Sequence, residues 1–366
     1  MGDTYPKIRL AAVQAAPVFL DREATLEKAC ALIKEAGEGG ADFVGFPENF
    51  IPGHPLWYYF EPAPGKRAMD LAVELYKNSV EIPGPHVDRL CQAAAEAGVH
   101  VVMGLTEKKP NQTGTMYNTQ LFIGPQGQIL GKHQKLVPTI GEKLVHTGGS
   151  GSGMRTFPTE FGPVSGMICG ENSNPLGVAV LAAEYTRIHV AAWPNHFMPD
   201  HWASMQQSIL IASRNVAYAC KSFVIAAAGT VSPEMVDLLA KTDFDREFLT
   251  DPKKTGGSAI IDPTGNIIAG PLDGDVEGIL YADVDLEQTI RDHLVHDFGG
   301  YYNRPDQLRL IVNDADNALL ERVGGNQAGW WNRPTSTPEA DSALALTDEQ
   351  LAGALEQIDD AQLTSS

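Results

Sequence analysis

Cysteine is scarce in this chain: Cys30, Cys91, Cys169 and Cys220 are the only four among 366 residues, and none forms a C-x-x-C pair. That excludes a disulfide scaffold and gives no support to a thiolate zinc site or a thioredoxin-like redox motif. Partnerless thiols fit a reducing compartment, so a cytoplasmic location is expected. No apolar run reaches the roughly 20 residues that a membrane helix needs. Residues 1–20 hold no basic region followed by an apolar stretch, so no secretory signal is expected. Positive charge is in the minority, with 27 Lys and Arg against 46 Asp and Glu and a net charge of −19. Nucleic acid and anionic membrane surfaces are therefore excluded as partners. His196 and His201 find no third ligand at a metal-like spacing. The glycine run at 148–153 has no following Lys-Ser/Thr, so it is a flexible loop and not a phosphate cradle.

The chain nevertheless has what a large core needs, being 43% hydrophobic and only 20% charged. Strand-like and helix-like segments alternate: strands at 8–15, 42–46, 100–105, 188–193 and 223–228, helices at 22–36, 86–97 and 201–220. This order predicts an α/β layered fold. Residues 123–129 and 261–267 echo one another, each a strand, a Pro-x-Gly turn and a returning strand. Two such halves predict a pseudo-duplicated single domain, a four-layer α-β-β-α sandwich of two mixed sheets with a C-terminal extension. The expected boundaries are a catalytic domain over 1–290, an arm over 291–334 and an acidic, flexible tail over 335–366. The tail alone carries seven acids and no base. A capped helix opening at Thr347 is too short to be stable alone.

Three segments concentrate chemistry. Cys169 sits where the apolar strand 164–168 meets the polar turn Gly170-Glu171-Asn172-Ser173-Asn174-Pro175, a place that exposes a sulfur beside unpaired backbone N–H groups. Cysteines near strands are also common small buried hydrophobes, so a base and an electrophilic partner must come from elsewhere. Glu48, in Phe46-Pro47-Glu48-Asn49-Phe50, follows an apolar strand at its C-terminal edge, where open α/β sheets place their sites. Taken singly it reads equally as an acid opening a surface loop. Lys135 follows a strand in a segment stiffened by Pro138, with Glu142 seven residues on; singly, both read as solvated charges. The run from His54 to Phe60, with Trp57 and Tyr58, could wall a pocket or simply pack. His133 and His146 flank Lys135 and read as structural.

Together these segments closely resemble the nitrilase superfamily of carbon–nitrogen hydrolases. The family's Glu, Lys and Cys regions match Phe46–Gly53, Lys135–Thr139 and Cys169–Leu176 in order, with 87 residues from Glu48 to Lys135 and 34 from Lys135 to Cys169. Further similar stretches are at 192–195, 257–263 and 301–305, and the match spans roughly 6–305. The Pro-Gly after Glu48 and the turn after Cys169 resemble the nitrilase branch more than the amidase or carbamoylase branches. Three departures bear on substrate choice: Gly170 where many members carry Trp, Lys143 where Arg is common, and the glycine run at 148–153.

The resemblance implies hydrolysis of an organic nitrile to a carboxylic acid and ammonia, with no metal and no cofactor. Glu48 would be general base, Lys135 the cation for developing negative charge, Cys169 the nucleophile forming a thioimidate and then a thioester, and Glu142 the residue restraining Lys135. Gly170, Asn172, Trp193 and Pro194 join Trp57 and Tyr58 as expected substrate contacts. An amidase or carbamoylase using the same residues is the alternative, and a silent binding protein is a rival of another class. The partners implied are a small nitrile or amide and further copies of the chain, as a homodimer or a larger spiral homo-oligomer.

Overall fold

Two runs of parallel strands, each finished by an antiparallel hairpin, build the molecule. The computed structural model describes residues 3–63, 65–110, 112–196 and 204–315. The first half contains β1 (Lys7–Gln14), α1 (Arg22–Glu38), β2 (Phe43–Gly45), α2 (Lys66–Lys77), α3 (Pro85–Ala97), β3 (His100–Lys108), β4 (Met116–Ile123) and β5 (Ile129–Gln134). The second contains β6 (Val164–Ile168), α4 (Pro175–Ala183), β7 (Ile188–Trp193), α5 (Met205–Cys220), β8 (Phe223–Ala228), α6 (Pro233–Leu239), α7 (Asp243–Thr250), β9 (Ala259–Ile261) and β10 (Ile267–Ala269). The strand β11 (Gly278–Asp285) and helix α8 (Glu287–Val295) follow.

The sheets have the orders β11-β1-β2-β3-β4-β5 and β10-β9-β8-β7-β6. In the first, β1, β2 and β3 are parallel and β4 and β5 return antiparallel; in the second, β6, β7 and β8 are parallel and β9 and β10 return. The echoed hairpins close alike: Gly127 N–H donates to Gly124 O and Gly265 N–H to Asp262 O, each glycine at positive φ. The internal repeat expected from the sequence is thus a repeat of topology. Strand β11 crosses back to pair with β1, so chain from the second half completes the first sheet.

Alternation along the strands divides the apolar residues into layers. Leu10, Phe43, Phe122, Val190, Phe223 and Ile225 fill the space between the sheets. The outer face of the first sheet packs on α1 and α3 through Leu26, Ile33, Leu90 and Ala94. That of the second packs on α4 and α5 through Leu181, Ile209 and Val216. This is the four-layer α-β-β-α sandwich expected. A fourth cluster, around Trp57, Leu75, Met235 and Phe248, lies under the loops and α2, α6 and α7.

The elements expected from periodicity lie where it puts them and differ only at their ends, which caps decide, whereas α2, α4, α6, α7, α8 and β11 were not expected. Helix α1 runs on to Glu38, two residues past the expected end, and starts where the Asp21 side chain accepts from Ala24 N. Among the described residues α5 begins at Met205, capped by Ser204; positions 201–203 of the expected helix lie outside the described residues. So do 316–334 of the expected arm, the acidic tail over 335–366 and its helix. No helix among the described residues is long and apolar enough to cross a membrane.

Gly45 marks a close approach of the sheets. A Cβ there would sit 2.8 Å from Val190 Cγ1 and 2.9 Å from Ile225 Cγ2, both on stiff β-branched side chains. Gly45→Val is therefore expected to lower stability by about 1–3 kcal/mol through overpacking. The midpoint of urea unfolding checks this, with an unchanged midpoint refuting so tight a contact.

Candidate active site

Three strand ends, two from the first sheet and one from the second, converge at one edge of the sandwich. Strand β2 ends at Gly45, and the chain then turns through Pro47 across Gly104 of β3, where an added Cβ would come 1.9 Å from Pro47 O. That crossing brings Glu48 to the interior, with its N–H donating to Trp193 O at the end of β7 in the other sheet (3.1 Å). Strand β5 ends at Gln134, and Lys135 is held on β4 by its N–H to Asn118 O (2.8 Å). Strand β6 ends at Ile168, and Cys169 adopts a φ of +52°, a left-handed conformation costly for a side-chain residue. Strain of this kind, on the order of 1–3 kcal/mol, persists only where surroundings enforce it.

The enforcement is visible. Glu171 accepts from Ile168 N (3.0 Å) and Leu136 N (2.8 Å) and lies 2.8 Å from His133 Nε2, so one carboxylate ties the cysteine turn to the lysine loop. Burial would raise its pKa, but His133 and the two N–H groups outweigh that and hold it below the usual range. Asn172 is fully buried and donates to Met167 O (3.1 Å) and Cys169 O (3.0 Å), with His189 behind it at 2.9 Å.

Lys135 is only 1% exposed, and its ammonium donates to Glu48 Oε1 (2.8 Å) and Glu142 Oε2 (2.6 Å). Asn118 donates to the same two carboxylates at 2.6 and 2.7 Å. Glu142 also accepts from Thr139 N and lies 3.1 Å from His146 Nδ1. A buried cation between two anions is the pairing that makes burial of all three tolerable. The two acids are not equivalent. Burial acts on Glu142, but His146 and Lys135 overcome it and hold the carboxyl well below its ordinary range. Glu48 goes the other way: burial dominates, Glu142 repels, Lys135 only partly compensates, and its pKa rises to about 7. Lys135, whose burial favours the neutral amine, is raised well above its ordinary value by Glu48, Cys169 and Glu142.

Burial pushes the Cys169 thiol well up, the Glu48 charge adds to this, and Lys135 opposes it. The resting sulfur is therefore a thiol, and something must remove its proton. Glu48 Oε2 is buried and has no hydrogen-bond partner among the described residues, leaving one lone-pair acceptor free beside the cysteine's environment. Neutral His54, pushed down to about 3 by burial, lies 3.8 Å from Glu48 Oε1.

A cleft of about 810 Å³ opens on this cluster, lined by Lys135, Glu142, Cys169, Gly170, Trp193 and Pro194 together with His54 and Tyr59. The structure thus brings together Glu48, Lys135, Glu142 and Cys169 and sets Gly170, Trp193 and Pro194 around them. Trp57 and Tyr58, expected as substrate contacts, are not among the residues that line the cleft. The turn Leu56–Tyr59 is a 3-10 helix, whose three residues per turn send consecutive side chains in three directions. Trp57 points into the cluster with Phe19 (rings 6.1 Å apart), Tyr58 lies half-buried beside it, and Tyr59 takes the cleft. Asn172, also expected there, is buried with its amide holding the turn from inside. Asn118 and Glu171 escaped the sequence reading, whereas His54 lines the cleft as the pocket reading of the run from His54 to Phe60 expected. Asn118 sits in mid-strand with nothing local to mark it, whereas Glu171 was visible only as a turn residue.

Residues 9–293 match the family model for carbon–nitrogen hydrolases. The chain belongs to that family. Similar family members include a nitrilase of Bacillus sp. (strain OxB-1), 38% identical over 87% of this chain and 92% of that protein. Nitrilase 2 of an unknown prokaryotic organism is 40% identical over 86% and 95%, and an aliphatic nitrilase of Rhodococcus rhodochrous 35% over 87% and 82%. In fold the chain is similar to a carbon–nitrogen hydrolase of Helicobacter pylori G27 (TM-score 0.61, 20% identity, 80% of this chain and 94% of that one). The C. elegans NitFhit protein is comparable (TM-score 0.62, 18% identity, 92% and 74%).

The Glu171 bridge predicts a stability signature. Its folded pKa is depressed, so its contribution is full above the unfolded value near 4.5 and lost as pH falls through the folded one. Glu171→Gln is expected to cost about 1.5–3 kcal/mol at neutral pH and to flatten the loss of stability on acidification. Chemical denaturation between pH 3 and 7 measures both, and parallel curves for the two proteins would contradict the bridge.

Proposed function

We propose that this carbon–nitrogen hydrolase is a nitrilase, converting an organic nitrile and two waters to a carboxylic acid and ammonia. The observation that carries the reading is the buried Glu48–Lys135–Glu142 cluster beside a thiol on a strained turn. The nitrilase names of relatives 35–40% identical over most of the chain support it. In this mechanism Cys169 Sγ attacks the nitrile carbon as Glu48 takes the thiol proton and passes it to the nitrile nitrogen, giving a thioimidate. Water adds with Glu48 again as base, ammonia leaves, and a thioester remains. A second water releases the acid and restores the thiol. Lys135 stays charged throughout and meets negative charge developing on nitrogen and then oxygen, with the Gly170 N–H beside the sulfur. Glu142 holds Lys135 in place and keeps its charge paired.

A base with a pKa near 7 suits a proton transfer at neutral pH. The unprotonated form is required, so kcat/KM is expected to rise with pH through about 7 and to lose that limb in Glu48→Gln. Glu48→Gln should cost about 10²–10⁴ in rate, and Cys169→Ala should release no ammonia. Incubation with a nitrile and its matching amide separates the readings: ammonia from the amide alone would favour an amidase, and full activity in Cys169→Ala would sink the mechanism.

The same reading includes assembly and location. In this reading residues 1–290 are the catalytic part and 291–334 an arm through which copies associate as dimers or longer spirals. Supporting this, the described part of the arm exposes Leu294, Tyr301, Leu308 and Ile311, an unusual density of bare apolar residues. Truncation at about residue 330 should change the sedimentation coefficient beyond the lost mass. The four free thiols are consistent with the cytoplasm.

A further inference from the structure

The catalytic cleft does not stop at Cys169. A second groove, of about 1350 Å³, adjoins it, and Thr139 and Gly170 line both. Its wall is apolar, with Val137 from the lysine loop, Met154, and Leu176 and Val180 from α4. Leu310 and Ile311, from the segment after α8, complete it. That segment is seated closely: a Cβ on Gly151 would come 2.0 Å from Asn313 O, so only glycine admits the backbone there. Arg155 pairs with Asp314 alongside (3.5 Å). Glu171, the one charged residue on the wall among those described, is spent on Leu136 N, Ile168 N and His133. A charged ligand would find no free counter-charge.

Gly170 stands at the junction. It is exposed, it does not use positive φ, and an added Cβ would meet no atom within 4 Å. Its lack of a side chain is therefore not demanded by the backbone or by packing. What it leaves is the opening between the two spaces.

Building on the nitrilase reading, we propose that Gly170 joins cleft and groove into one channel, and that the groove holds the tail of the substrate. The substrate class is then nitriles with an elongated, uncharged apolar tail, alkyl or arylalkyl, in preference to short ones. The nitrile carbon lies at Cys169 and the tail passes Gly170 toward Met154, Val180 and Ile311. Each methylene moved from water into such a groove raises kcat/KM by about fourfold while the tail still fits.

Ammonia release by the full chain from propionitrile, hexanenitrile and octanenitrile tests this. The expected profile rises with length, and Gly170→Trp is expected to lower the octanenitrile-to-propionitrile ratio of kcat/KM at least tenfold. Val180→Trp, on the far wall, should lower the same ratio, and serves alone should Gly170→Trp lose all activity. Because each ratio is taken within one protein, partial unfolding cancels. A profile that is flat or falls with length, or a ratio preserved in the variants, overturns the channel. Ammonia from propionitrile without gain along the series contradicts the channel alone, whereas no ammonia from any nitrile contradicts the nitrilase reading beneath it.

Discussion

A lysine ammonium buried between two carboxylates is the constraint on which the site depends. Removing the lysine would leave two buried carboxylates without their cation, a cost of about 3–5 kcal/mol. Glu48 arrives from β2, Lys135 and Glu142 from the loop after β5, and Asn118 on β4 holds both acids. The cluster therefore fixes the strand ends of the first sheet relative to one another. It also separates the acids, Glu142 remaining an anion at any ordinary pH while Glu48 is poised near 7. Two carboxylates in two environments take two roles, which is how a protein runs base chemistry at neutral pH.

The second sheet supplies the proposed nucleophile and is tied to the first by buried hydrogen bonds. Glu48 N–H reaches Trp193 O, and Glu171 holds Ile168 and Leu136 together. Asn172 and His189 brace the turn from below. The left-handed φ of Cys169 is the visible result, and it sets the sulfur at the mouth of the cleft. In the proposed mechanism a neutral thiol loses its proton to Glu48 as it attacks rather than in a step before it.

Much of this was legible because the fold places its chemistry at strand ends. Glu48 and Cys169 each follow a short apolar run, which is read well from sequence when turn residues bound it, whereas Lys135 follows the mostly polar strand Ile129–Gln134. The paired hairpins were legible too, since Pro-x-Gly turns dictate local backbone. What stayed hidden depended on distant contacts or on a local rotation. Asn118 looks like any strand residue until residues 70 and 24 positions away are brought to it. Which of Trp57, Tyr58 and Tyr59 faces the cleft is decided by a single 3-10 turn and not by their identity. The inward direction of the Asn172 amide is likewise not written in the sequence of its turn.

The central claim is that Cys169 becomes covalently bonded to the carbon of the substrate while Glu48 handles its proton. The most direct measurement is mass spectrometry of protein quenched in acid during turnover of a nitrile, followed by peptide mapping. The account predicts an acyl or imidoyl mass on the peptide carrying Cys169, absent from Cys169→Ala and accumulating in a variant slowed at Glu48. Turnover with no adduct in either protein, or an adduct on another residue, would contradict it.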